Sequence, residues 1–302
     1  MLRARLLVLG AMLSATAFIL PFKYAARDGY GAGAALGLLI SVSVWLFPPA
    51  LYRFSKDSPD LRRRSFKLGW RLSLAAALGN IAQGFAFMEL HAGVATVFIQ
   101  TSVVFVALLG RLWLKEPFQP IFRLSLFFCL GGVVYSQLPF PTEMSQLNHG
   151  IFWGLASAFG FAMLDLLSRR YSQGADLIQS NFIRSLLAAV IISFLPGAVS
   201  QLLDFGAHRW LAISVAALLG PGIARQLLLQ ASKTLPALES SLLQQLRPVL
   251  ALPVASLTFG IWPTHHEWWG SSLIILGVAL GPVWTLCRRR WGLTEGNNKN
   301  TQ

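Results

Sequence analysis

The sequence predicts an all-α integral membrane protein with ten transmembrane helices arranged as two inverted five-helix repeats. Three observations carry this prediction: a composition too apolar for a water-facing surface, ten apolar runs of spanning length, and a constant internal offset of 145 residues. Of the 302 residues, 55% are hydrophobic and only 12% charged, against roughly a quarter charged in an ordinary soluble domain. So few charged groups cannot clothe a soluble particle, and the outside of the folded chain must be solvated by lipid.

Crossing the hydrocarbon takes about 20 apolar residues in a helix. Runs of that kind cover approximately 6–25, 31–51, 68–90, 92–114, 121–138, 150–168, 178–196, 210–232, 236–258 and 268–287. The connections are too short to hold a separate soluble domain. The organisation that follows is a first repeat over 1–138, a periplasmic linker over 139–149, and a second repeat over 150–287. A basic, then polar and disordered cytoplasmic tail covers 288–302. Met1-Leu2-Arg3-Ala4-Arg5 with Ala15-Thr16-Ala17 also fits a cleavable signal peptide; retention as a first span is preferred because the repeat needs it.

The net charge of +13 finds its reason in the positions of the basic residues. With the N-terminus in the cytoplasm, nineteen Lys and Arg fall at inside ends and only Lys23, Arg27 and Arg209 outside. That bias places both termini in the cytoplasm of a multi-pass protein of the cell membrane, the inner membrane of a bacterium. The block from Arg53 to Arg71 reads as a solvated stop signal rather than a nucleic-acid or anionic-lipid site. No nucleic-acid partner is called for. Cys129 and Cys287 read as free thiols, with no disulfide framework, no metal site and no cofactor implied.

Shifting the chain by 145 residues lays Val103-Val104-Phe105-Val106-Ala107 on Pro248-Val249-Leu250-Ala251-Leu252, and pairs Gln100 with Gln245, Gly132 with Gly277 and Val133 with Val278. Five spans per half follow. An odd number forces the second half to enter the membrane upside down, the inverted-repeat design that serves alternating access around a midplane site.

Two of these stretches carry a resemblance. Pro248-Val249-Leu250-Ala251 in span nine, and the run closing with Leu112-Trp113-Leu114-Lys115-Glu116-Pro117 after span four, resemble the EamA domain of the drug/metabolite transporter superfamily. The likeness covers two halves, about 6–138 and 150–287. Val103 stands where the family usually has Pro, and Ile261 where it has Glu. The resemblance implies ten helices, both ends cytoplasmic, and a central cavity lined mainly by spans one, three, four, six, eight and nine.

An ionisable group inside a span costs at least about 2.5 to 3.5 kcal/mol, so each is a functional candidate. Arg184, Arg225 and Arg247 are the basic ones. Arg225 corresponds to Asn80 under the 145-residue offset and Arg247 to Ser102, all near the midplane by a rise of about 1.5 Å per residue. Ser240, Gln244 and Arg247 share one face of span nine, and Thr96 and Gln100 one face of span four. The expected substrate-binding set is therefore Asn80, Thr96, Gln100, Ser240, Gln244, Arg225 and Arg247. Pro248 would free a carbonyl in the same cavity.

Asp165, Glu239 and Glu89 are the acids available for ion coupling, each with a structural alternative that is preferred. Asp165 reads as a helix-end partner of Arg169, Glu239 as a first-turn carboxylate favoured by the helix dipole, and Glu89 with His91 as an exposed turn. Arg184, in a span that the resemblance leaves outside the cavity, reads as snorkelling or paired. Phe18, Phe85, Phe159 and Trp153 could face a substrate. The small-residue series Gly29, Gly33, Gly37 and Gly150, Gly154, Ala158, Ala162 read as packing ridges.

The function expected is a secondary active transporter, an exporter, of a small metabolite such as an amino acid or another carboxylate-bearing compound. The alternative is a proton-coupled exporter of amphiphilic cations. A membrane-embedded enzyme or a scaffold is less favoured, since no His-Glu-x-x-His, Gly-x-Ser-x-Gly or phosphate-binding glycine motif is present. The partners implied are a small-molecule substrate and the lipid bilayer, with a homodimer through spans five and ten as a further expectation.

Overall fold

A chain immersed in hydrocarbon must satisfy its own backbone groups, and a helix does so within a single segment. In a computed structural model that describes residues 2–90, 92–115, 120–136, 147–247, 249–250 and 264–290, the regular structure among those residues is helical throughout. The elements are α1 (Leu2–Ala26), α2 (Gly31–Lys56), α3 (Pro59–Glu89), α4 (Ala92–Gln100), α5 (Ser102–Trp113), α6 (Pro120–Tyr135), α7 (Leu147–Tyr171) and α8 (Leu177–Ser193). They continue with α9 (Ala198–Leu203), α10 (Ala207–Ala217), a π-helical segment Leu218–Ala224, α11 (Arg225–Ser232), α12 (Ala237–Gln244) and α13 (His265–Arg290).

Five stretches among the described residues are long and apolar enough to cross a membrane: Leu2–Ala26, Gly31–Lys56, Ala95–Trp113, His149–Tyr171 and Ala207–Ser232. Pro120–Tyr135 and Leu177–Ser193 are shorter apolar helices. The chain is a multi-pass membrane protein, and its outer surface agrees: Leu13, Trp45, Phe127, Phe152 and Phe194 all point outward.

The helices depart from the expected runs in physically readable ways. Span three begins earlier, at Pro59, because the Ser58 hydroxyl caps it by accepting from Leu61 N and Pro fits the first turn. Span four is interrupted at Thr101, whose N–H bonds Phe98 O in an i−3 pattern. Span nine is interrupted likewise after Gln244, with Gln245 N bonding Leu242 O and Leu246 N bonding Leu243 O. Span eight runs through a π-helical turn at Pro221, which has no N–H to give to a regular ladder. The short helix α9 follows span seven and was not expected. The 139–149 linker lies mostly, and the tail beyond 290 wholly, outside the described residues, as do Pro248 and Ile261.

Glycine lets the helices approach closely. An added Cβ at Gly160 of α7 would lie 2.6 Å from Gly79 N of α3, and one at Gly84 of α3 would lie 2.5 Å from Gly31 O of α2. α6 packs on α13 in a reciprocal way: Gly132 sits against Gly270 and Ile274, while Gly277 sits against Ser125 and Cys129. Of the expected ridges, Gly33 packs on Gln201 and Leu202, Gly37 on Leu202, Gly150 on Leu90 and Gly154 on Phe98. Gly29 is different. It has φ +86° with open space around it, so it serves the α1–α2 turn rather than a ridge.

Candidate functional site

The interruptions in spans four, eight and nine converge on one cavity with about 780 Å³ of empty space, its open mouth included. Its walls come from α1, α3, α4, α5, α7, α8, the π-helical turn, α11 and α12, with Arg247 just beyond the end of α12. Phe18, Ile99, Phe161, Leu164 and Leu228 make the apolar part of the wall.

Five of the seven expected binding residues line this cavity: Asn80, Gln100, Gln244, Arg225 and Arg247. Ser102, the offset partner of Arg247, lines it too. Thr96 and Ser240 do not; Ser240 is buried elsewhere against its neighbours and Thr96 is half-buried. The shared-face expectation fails at Ser240 because α12 is interrupted between Gln244 and Arg247, so i+7 spacing no longer aligns the two ends.

Arg225 is the best-anchored group. Its Nη1 donates to Asp165 Oδ1 at 2.8 Å, and its Nη2 donates to Leu164 O at 2.8 Å and to the Ser168 hydroxyl. Gln244 Nε2 donates to the other oxygen, Asp165 Oδ2, at 2.9 Å. Asp165 therefore bridges α7, α11 and α12. The sequence expects a helix-end pair of Asp165 with Arg169, whereas the contacts described for Arg169 have its Nη1 capping the end of α11, donating to Ser232 O at 3.1 Å and Lys233 O at 3.3 Å. The reason is geometric, since Asp165 points into the cavity while Arg169 lies one turn nearer the helix end.

Arg247 is different in kind. Among the described residues no carboxylate forms an ion pair with it, and its Nε is buried without a hydrogen-bond partner. Gln100 Nε2 and Arg225 Nε are likewise buried and unpartnered. Asn80 Nδ2 is turned back on its own helix, donating to Ala76 O at 2.7 Å.

Arg184 corrects the expectation that it lies outside the site. It is 1% exposed, forms part of the cavity wall, and is neither snorkelling nor paired with an acid among the described residues. Its Nε donates to Asn181 Oδ1 at 2.9 Å and its Nη2 to Ser185 Oγ at 2.9 Å. Asn181 in turn donates through Nδ2 to Pro221 O at 3.1 Å, in the π-helical turn. Span seven thus joins the cavity through this polar chain.

The other acids lie elsewhere. Glu239 accepts from Arg5 Nε at 2.7 Å, tying α12 to α1 rather than acting only on its own helix end. Glu89 ends α3, half-buried, with Oε2 unpartnered, not in an exposed turn; His91 lies outside the described residues. Of the aromatics, Phe18 lines the cavity, resting on Gly220. Phe85 and Trp153 stack on each other at 4.8 Å and Phe159 meets Phe105 edge-on at 5.7 Å, so these three are packing. Gln83 and Phe161 line the cavity without having been expected. The signal was their spacing, three residues after Asn80 and four before Asp165.

Residues 148–281 match the model of the EamA-like transporter family. A solved structure described as "Crystal structure of protein" aligns with 95% of this chain and 98% of its own, at 16% identity and a TM-score of 0.74. At that identity the likeness speaks for the fold. No curated protein matches the chain.

Proposed function

From the EamA-like second half of this chain we infer that the protein is a secondary active transporter, an exporter, of a small carboxylate-bearing metabolite. Ten spans in two inverted repeats, with both ends in the cytoplasm of a bacterial inner membrane, are part of the same reading. Its mechanism is alternate exposure of this cavity to the two sides. The observation that carries it is Arg247, a guanidinium on the cavity wall with no acid paired to it among the described residues. A half-buried guanidinium left without an ion pair inside a span is costly, and a substrate carboxylate would supply that pair.

The cation-exporter reading needs a carboxylate free to exchange a proton for a drug. Asp165 has both oxygens engaged by Arg225 and Gln244, Glu239 is held by Arg5, and Glu89, whose Oε2 has no partner, lies off the cavity lining, which favours the anion reading. The interrupted helices at Thr101 and Gln245–Leu246 support a substrate site at the repeat interface, where discontinuous helices place unpaired backbone groups near the ligand. Reconstitution into liposomes with labelled amino acids, organic anions and cationic dyes tests the assignment. Flux of a carboxylate compound is expected, and absence of flux for every class would overturn it.

A further inference from the structure

The cavity wall carries three guanidinium groups, Arg184, Arg225 and Arg247, and one carboxylate, Asp165. One guanidinium is neutralised, because Arg225 and Asp165 are paired at 2.8 Å with side chains 10% and 15% exposed. Arg184 has only neutral partners, Asn181 and Ser185, and Arg247 forms no ion pair among the described residues, the Asp165 carboxylate near it being held by Arg225. The described lining therefore holds a net charge of +2.

The hydrogen-bonding balance points the same way. Each buried, unpartnered polar atom on the described lining is an N–H donor: Gln100 Nε2, Arg225 Nε and Arg247 Nε. Buried donors left unpaired cost about 1–3 kcal/mol each, more when charged. A cationic or donor-rich ligand would worsen both balances. An acceptor-rich ligand with two negative charges relieves both, and the apolar wall of Phe18, Ile99 and Phe161 suits the carbon skeleton between or beside them.

We propose that the substrate is an organic dianion, a dicarboxylate or a phosphate monoester, held between Arg184 and Arg247 while Arg225 stays locked to Asp165. This rests on the transporter reading for its transport step, but not for its binding step. Arg225 is then a positioning residue, fixing α11 against α7 through Asp165, Leu164 and Ser168.

The test uses the full chain, purified in detergent and reconstituted. Succinate, glycerol 3-phosphate, butyrate and tetramethylammonium are compared at equal ionic strength, by shift in denaturation temperature and by exchange in proteoliposomes. One or both dianions should stabilise the protein and exchange at least about tenfold better than butyrate, as expected for one more desolvated charge pair; which of the two does so separates dicarboxylate from phosphate ester. Arg247→Gln should cut that discrimination to near unity, and Arg247→Lys should keep most of it, which separates charge from a folding defect. Butyrate or tetramethylammonium acting as well as the dianions would overturn the dianion proposal and leave transport standing. Dianion-specific stabilisation without any flux would support the site and contradict the transporter reading. Neither stabilisation nor flux with any of the four overturns both.

Discussion

Gln245 Nε2 donates to the backbone oxygen of Gln100 at 3.2 Å, and these two residues stand 145 positions apart in the chain. Cys129 Sγ and Ile274 O, at 3.9 Å, stand in the same relation. The same offset exchanges the glycine contacts of α6 and α13: Gly132 meets Gly270 and Ile274, and their counterparts match, Gly277 meeting Ser125 and Cys129. Residues related by a two-fold axis meet their own counterparts only close to that axis, and their neighbours meet reciprocally. These contacts support the proposed inverted repeat, whose axis would then run near Gln100 and Gln245, beside the cavity.

The α6–α13 contact makes a sharp stability prediction. A Cβ at Gly132 would lie 2.5 Å from Gly270 O, whereas one at Gly131 meets nothing within 4 Å. Gly132→Ala should cost about 1–3 kcal/mol by forcing the helices apart. Gly131→Ala should be neutral or slightly stabilising, since it removes only backbone freedom. Thermal denaturation of the two variants in one detergent checks the difference.

Asp165→Asn removes the counter-ion of Arg225 while leaving its guanidinium buried. Breaking one side of such a pair should cost about 3–5 kcal/mol. Adding Arg225→Gln should restore part of that loss, with a coupling of about 0.5–3 kcal/mol. A double-mutant cycle on the denaturation midpoint measures it; strict additivity would mean that the pair is not coupled.

Asp176 accepts from Ile178 N at 3.0 Å and Gln179 N at 2.9 Å at the start of α8, and pairs with Arg53 at 2.6 Å. Asp176→Ala should cost about 1–2 kcal/mol through the lost cap. Arg53→Ala should cost less than about 1 kcal/mol, because the Arg53 side chain is 47% exposed and the pair is screened. Equal losses would contradict the capping role.

How much of this was legible in the sequence depended on which physical constraint acted. The helices themselves were readable because spanning a membrane demands long apolar runs, and the cavity's main polar groups because charges inside such runs are expensive: Arg225 and Arg247 were found that way. The 145-residue offset brought in Asn80, Gln100 and Ser102. What failed was continuity. Treating span nine as one helix put Ser240 on the face of Arg247, and the i−3 bonds at Gln245 and Leu246 undo that alignment.

Partner choice across helices was equally invisible. Asp165 has Arg169 four residues away in sequence, yet pairs with Arg225 sixty residues away, because local spacing says nothing about which side chain a cavity wall brings opposite. Arg184 carried the right signal, an ionisable group within a span, and was set aside on a family pattern that its own polar chain to Asn181 and Pro221 does not follow.

In the proposed mechanism Arg247 is the group that receives a substrate carboxylate. The most direct measurement of that role is the initial rate of carboxylate exchange by reconstituted protein bearing Arg247→Gln, set beside Glu239→Gln in the same liposomes. Removing the unpaired cavity cation should lower the rate at least about thirtyfold, the equivalent of about 2 kcal/mol lost from a buried charged contact. Glu239, held by Arg5 at 2.7 Å outside the cavity lining, should matter by no more than a few-fold. Exchange that survives Arg247→Gln and collapses on Glu239→Gln would contradict the assignment.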